Sequence, residues 1–221
     1  GGSSGGARPK ILTTCGDEDW IVKFPAATDS VSIGEEEYLY SLCAKECGVD
    51  MPVTRLFPSK RCPGYFGVKR FDRVDGEFGR KKRVHTLSAS AILETSHRVP
   101  NLDYLQLMKL TLKLTNDFDQ VGKMYSLMCF NVFAHNRDDH SKNFSYVFDD
   151  EAWAWKMSPT YDLTYSSSIG GEHATSVNGN GKDPGMKEIL AVAEAAGLNK
   201  NWARTTADEI QGKVNVMLGD I

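Results

Sequence analysis

Near Leu87 the spacing of apolar residues changes period, and a chain that does this has to build a sheet from one part and a helical body from the other. Before that point, short apolar runs at residues 10–13, 19–24, 54–57 and 64–71 alternate with Gly and Pro, which predicts four strands of a small sheet. One segment among them differs: Glu35, Glu36 and Glu37 form an acidic first turn, Leu39, Leu42, Cys43 and Ala44 follow, and Gly48 ends the run. That is a single helix. Beyond Leu87 the helical period holds over residues 87–94, 102–114 and 121–133, and it returns around residues 186–196 and 202–218 after a stretch rich in Ser, Gly and Asn.

Inside the helical part, Phe144, Tyr146 and Phe148 alternate before Asp149-Asp150, and Trp153, Trp155 and Met157 alternate after it, which marks a β-hairpin. The expected class is therefore α+β, with residues 1–75 as a small β-rich lobe and residues 76–221 as a larger helical lobe. A length of 221 residues with 41% hydrophobic content is enough for two such lobes sharing a cleft.

Composition excludes several classes of function. With 26 basic against 29 acidic residues and a net charge of -3, no global positive field holds nucleic acid directly and strongly. The densest basic run, Arg80-Lys81-Lys82-Arg83, reads as a solvated turn, with a partner or phosphate contact as the alternative. Five cysteines, none in a CxxC spacing, fit reduced thiols and a cytoplasmic protein. Cys43 and Cys47 can share a helix face, but no second ligand pair accompanies them. No apolar stretch approaches the roughly 18 residues of a membrane span.

The chemistry concentrates in His135-Asn136-Arg137-Asp138-Asp139-His140-Ser141-Lys142-Asn143, a loop between an apolar helix and the hairpin. Taken alone, Asp, Asn and His in a loop are turn formers and caps. The spacing R-D-x-x-x-x-N, however, supplies a carboxylate to accept a hydroxyl proton and an oxygen ligand for Mg²⁺, as transfer of a phosphoryl group requires. Asp138 is then the base and Asn143 a metal ligand. The far strand of the hairpin leads into Ser158-Pro159-Thr160-Tyr161-Asp162-Leu163, which places Asp162 where kinases keep a second metal-binding Asp, although the Phe-Gly that usually follows is absent.

Upstream, Lys23 is the one lysine of an otherwise apolar strand, where an unpaired ammonium is costly unless the strand lies at an edge facing water. A phosphate and a helix carboxylate would stabilise it, and Glu37 is the expected ion-pair partner. Gly5-Gly6-Ala7-Arg8-Pro9-Lys10 offers a Gly-rich turn whose backbone N–H groups can face phosphates.

Together these segments resemble the HipA family of bacterial toxin kinases. The likeness is carried by S-S-G-G-A-R-P-K at residues 3–10, W-I-V-K-F-P at 20–25, K-R-F-D-R at 69–73, D-D-H-S-K-N-F-S at 138–145 and P-T-Y-D-L at 159–163. The resemblance implies a two-lobed protein-kinase-like fold that binds ATP and Mg²⁺. Gly5, Gly6, Ala7, Arg8 and Pro9 would form the phosphate loop, Lys23 would meet the ATP phosphates, and Phe71 and Asp72 would meet adenine and ribose. It further implies His140 and Lys142 in the catalytic signature and autophosphorylation of Ser3, or of its neighbour Ser4. The implied partners are a helix-turn-helix antitoxin and a protein substrate such as an aminoacyl-tRNA synthetase; full-length members also carry an N-terminal subdomain, so the chain is expected to be a C-terminal fragment, a split kinase whose missing part is a separate small protein, or a truncated gene product. Lys69 stands where an acidic residue is common. A kinase for a small-molecule hydroxyl, and a non-catalytic module that holds an antitoxin or DNA partner, are the rival readings.

Overall fold

The computed structural model describes residues 8–76, 78, 80–94, 102–167 and 169–219. Its first layer is an antiparallel sheet of β1 (Lys10–Cys15), β2 (Glu18–Lys23), β3 (Thr54–Phe57) and β4 (Tyr65–Lys69), in the order β1-β2-β4-β3. Gly16, at φ 63°, turns β1 directly into β2, a conformation glycine adopts without strain. Both faces of the sheet are covered: Trp20 and Val22 are buried on one side, where Trp20 meets Phe57 edge-on, and Phe66 and Val68 on the other.

Helix α1 (Ile33–Glu46) crosses between β2 and β3 and belongs to both halves of the molecule. Its N-terminal turn lies on the sheet. Its other buried residues, Tyr40, Cys43 and Ala44, join the same apolar core as α3 (Tyr104–Thr115), α4 (Phe118–Phe133), α5 (Met186–Ala195) and α6 (Lys200–Leu218). The Cys47 thiol and the Lys213 ammonium bond carbonyls across the α1–α6 contact.

The helix boundaries follow local chemistry. Asp103 caps α3 through Leu105 N–H while Gln106 bonds back to Asp103 N–H, a reciprocal capping box. Asn116, in the left-handed region, ends α3, and Asp117 caps α4 two residues before Asp119. Among the described residues no helix is long and apolar enough to cross a membrane.

Two segments differ from the sequence expectation. Residues 81–83 are not a turn: β6 (Lys81–Arg83) is an exposed strand paired with β5 (Arg73–Asp75). The segment at 87–94 is helical for one turn only, α2 (Ala89–Ile92), ended by Glu94 at φ 51°. It is preceded by β7 (Thr86–Ser88), which pairs with β9 (Ser145–Asp149), itself paired with β10 (Ala154–Met157). The hairpin read at 144–157 is thus two strands of a three-stranded sheet.

Gly34 is a close-approach point: a Cβ there would lie 2.4 Å from the Gly64 carbonyl oxygen. Gly34→Ala must push the first turn of α1 off the sheet. Urea denaturation should register a loss of about 1–3 kcal/mol.

Candidate functional site

The sheet, α1 and the segment after β10 meet at one ammonium. Lys23, the last residue of β2, lies 2.5 Å from Glu37 Oε1 and is also ion-paired with Asp162 Oδ1. Glu37 occupies the second turn of α1 with its side chain only 3% exposed, and its other oxygen faces Arg8 Nη1 at 3.4 Å, while Arg8 Nε reaches Asp29 at 3.1 Å. Burial disfavours the Lys23 ammonium, but the two carboxylates outweigh it and hold its pKa above the ordinary lysine value. For Asp162 burial likewise opposes ionisation, yet Lys23, with help from Lys10 and His140, draws its pKa below the usual carboxylate value. Asp162 sits at φ 55°, a left-handed conformation that aspartate tolerates better than most residues.

A cleft of about 630 Å³ opens beside this cluster, and its walls include Arg8, Asp138, His140, Lys142 and Asn143. The loop carrying the last four begins where α4 ends. Tyr40, one turn beyond Glu37, donates its hydroxyl to the carbonyl of Ala134, the residue that caps α4, so α1 and the loop share an anchor. Asn143 donates its amide to the Asp138 carbonyl at 2.8 Å, which turns the amide oxygen away from that bond. The backbone amides of Ala89 and Ser90, at the start of α2, bond the carbonyls of Phe144 and Ser141 and hold the far end of the loop. Asp138 is exposed at the mouth, 3.8 Å from His140 Nε2. Partial burial raises its pKa, His140 opposes this, and the negative charges of Asp162 and Asp139 add to it.

A second, smaller hollow of about 260 Å³ adjoins the first, with Lys23, Lys10, Tyr161 and Asp162 lining both. Phe71 and Asp72 line it too. Phe71 stacks on Tyr161 with centroids 6.0 Å apart, and the Tyr161 hydroxyl donates to the Lys142 carbonyl. The Asp72 carboxylate is held by Arg70 and Arg73, and the burial penalty on it is outweighed so that its pKa falls below the ordinary value.

The structure therefore brings together Arg8, Lys23, Glu37, Phe71, Asp72, Asp138, His140, Lys142, Asn143 and Asp162 around two adjoining hollows. Pro9 lies beside them, its carbonyl accepting from Phe24 N–H. Ser3, Ser4, Gly5, Gly6 and Ala7 lie outside the described residues. Among the described residues no three His, Cys, Asp or Glu side chains surround a common metal position. Sequence reasoning missed Lys10 and Tyr161 as wall residues and Asp139 as a buried anchor. For Lys10 a signal existed, since cross-strand pairing of the first two strands puts it directly opposite Lys23.

These elements define a kinase-like α+β fold. The structure matches HipA of Shewanella oneidensis MR-1, solved in a complex with HipB and its operator DNA, with a TM-score of 0.74 and 20% identity over 98% of this chain and 58% of that one. It also matches the Helicobacter pylori proinflammatory kinase CtkA, with a TM-score of 0.60 and 13% identity over 95% and 92% of the two chains. This chain thus spans a little over half the length of the Shewanella protein. No curated protein sequence matches it significantly. The profile of the HipA-like C-terminal domain matches residues 2–217, and the chain belongs to that family.

The Lys23 cluster makes two predictions about stability. Lys23→Met leaves the Glu37 carboxylate buried without its closest cation, which should cost about 3–5 kcal/mol in urea denaturation. The folded pKa of Asp162 lies below 3.8. Its contribution is therefore complete above about pH 5 and lost as pH falls through the folded value. The stability difference between wild type and Asp162→Asn should shrink over that acid range and stay level above it.

Proposed function

We propose that this chain is the catalytic core of a HipA-type serine/threonine protein kinase that uses ATP and Mg²⁺. The observation that carries the reading is Lys23 held by Glu37 and Asp162 at the edge of the cleft that Asp138, His140, Lys142 and Asn143 also line. A lysine paired with a helix carboxylate, a base with four residues between it and an amide ligand, and a second carboxylate at the end of a hairpin are the parts that phosphoryl transfer requires.

The donor set fits the implied cofactors. A carboxylate and an amide oxygen, from Asp162 and Asn143, suit a hard divalent cation better than a soft one. Arg8, Lys10 and Lys23 supply positive charge for phosphates. Mg²⁺ with ATP would supply the phosphoryl group and neutralise its charge.

The chain's own residues do the remaining work. Asp138 accepts the proton of the attacking hydroxyl, and its raised pKa keeps it a better base than an ordinary surface aspartate. His140 Nε2 faces that carboxylate from 3.8 Å. Lys23 orients phosphate oxygens while Glu37 keeps its ammonium extended into the cleft. The hollow beside Phe71 and Tyr161 takes the flat base, with Asp72 at the ribose. Most of the acceleration comes from positioning and charge complementarity.

The substrate in this reading is a protein Ser or Thr of the translation machinery, such as an aminoacyl-tRNA synthetase, and the setting is the cytoplasm. By analogy with the Shewanella complex, an antitoxin of the HipB kind is the partner. Ser3 or Ser4 is the site of self-modification.

Asp138→Asn should lower phosphate transfer from radiolabelled ATP to a Ser/Thr peptide or protein acceptor by about 10²–10⁴-fold while leaving nucleotide affinity largely unchanged. Equal turnover by wild type and variant would remove Asp138 from the mechanism. On the acid side, turnover should fall as Asp138 protonates, with a midpoint above 3.8.

A further inference from the structure

Asp139, next to the proposed base, takes no part in the cleft. Its side chain is fully buried at 0% exposure, and a carboxylate in that position is costly unless each oxygen is satisfied. Both are. Oδ2 accepts the Tyr104 hydroxyl at 2.7 Å and His173 Nδ1–H at 2.9 Å, while Oδ1 accepts Thr175 N–H at 3.2 Å. The Asp139 main-chain carbonyl accepts the Thr175 hydroxyl at 2.5 Å.

The direction of each bond is determined. A carboxylate can only accept, so Tyr104, His173 and Thr175 are all donors. The Tyr104 hydroxyl in turn accepts from Asn131 Nδ2, and Asn131 Oδ1 accepts from Asn136 Nδ2. The network therefore runs from one end of the loop, at Asn136, through α4 and α3 to Asp139.

The donors His173 and Thr175 come from the segment that follows Asp162. That segment touches the loop twice more: Ser166 N–H bonds the His135 carbonyl, and Ala174 N–H bonds the Arg137 carbonyl. It is itself fixed, because β11 (Thr175–Ser176) pairs in parallel with β8 (Leu102–Asp103), and Asp103 Oδ2 accepts from the Ser176 hydroxyl and Gly179 N–H.

We propose that Asp139 is a positioning residue, gripped by His173 and Thr175, that sets the register of Asp138 and Asn143 relative to Asp162. Asp139 never meets the reactants. It transmits the placement of the 173–175 segment to the loop, so the base and the metal ligand on one segment are built to the same frame as the carboxylate that begins the other. The inference rests on the kinase reading for its effect on rate, and on geometry alone for its effect on the loop.

The Thr175 hydroxyl is the most separable part of the grip, because valine keeps its shape without the donor and serine keeps the donor. In the full chain, Thr175→Val should lower kcat about 10–100-fold with KM for ATP unchanged, and Thr175→Ser should restore most of it, as expected of lost orientation. Equal kcat in the two variants, or a rise in KM matching the loss, would overturn the proposal. If wild type shows no turnover, the kinase reading fails, and hydrogen exchange then decides this inference. The Asn143 amide, bonded to the His140 carbonyl at 2.8 Å, should exchange faster in Thr175→Val than in Thr175→Ser, with the α4 amides unchanged. Identical exchange at Asn143 would show that Thr175 does not hold the loop.

Discussion

The arrangement of the whole site depends on where one ammonium group can be tolerated. Lys23 ends an apolar strand against the sheet face, and only carboxylates from two other elements make that position stable. Glu37 comes from α1 and Asp162 from the segment after the hairpin, so the pairing ties the sheet, the shared helix and the hairpin exit to a common point. Glu37 is more deeply buried than either cation facing it. Removing a cation therefore strands a charge, whereas removing Asp162 leaves the Lys23–Glu37 pair in place.

From that point two side-chain routes lead to the loop, in addition to the α2 amides that hold its far end. One runs along α1, where Tyr40 bonds the carbonyl at the end of α4, immediately before His135. The other runs beneath the loop, where Asp139 is held by side chains from α3 and from the 173–175 segment. Glu37 and Tyr40 are one helical turn apart, so a shift of α1 moves the Lys23 partner and the loop anchor together. The hollow beside Phe71 and Tyr161 is joined to the same frame, since the Tyr161 hydroxyl bonds the Lys142 carbonyl.

Much of this could be read from residue order. The four strands of the first sheet, α1 and the later helices announce themselves by period and punctuation, and a lysine in an apolar strand points to a buried partner. What stayed hidden has physical reasons. The Lys-Lys-Arg strand β6 has no apolar alternation, because both of its faces are exposed. Strand β7 is three residues long, too short for a period to emerge, and it borrows its stability from β9. Asp138 and Asp139 are identical side chains in adjacent positions, yet one is exposed and the other fully buried. The difference is set by His173 and Thr175, more than thirty residues away, and local sequence carries no trace of it. Tyr161 likewise gains its role from Phe71, which the fold brings to it from the other side of the cleft.

In the proposed function, Lys23, Asn143 and Asp162 together hold metal and nucleotide. The most direct test of this is calorimetric titration of ATP, with and without Mg²⁺, into the wild-type chain and into Asp162→Ala. Binding that Mg²⁺ strengthens is expected in wild type, with that dependence lost in the variant. Binding equally indifferent to Mg²⁺ in both proteins, or no binding by a folded wild-type chain, would contradict it.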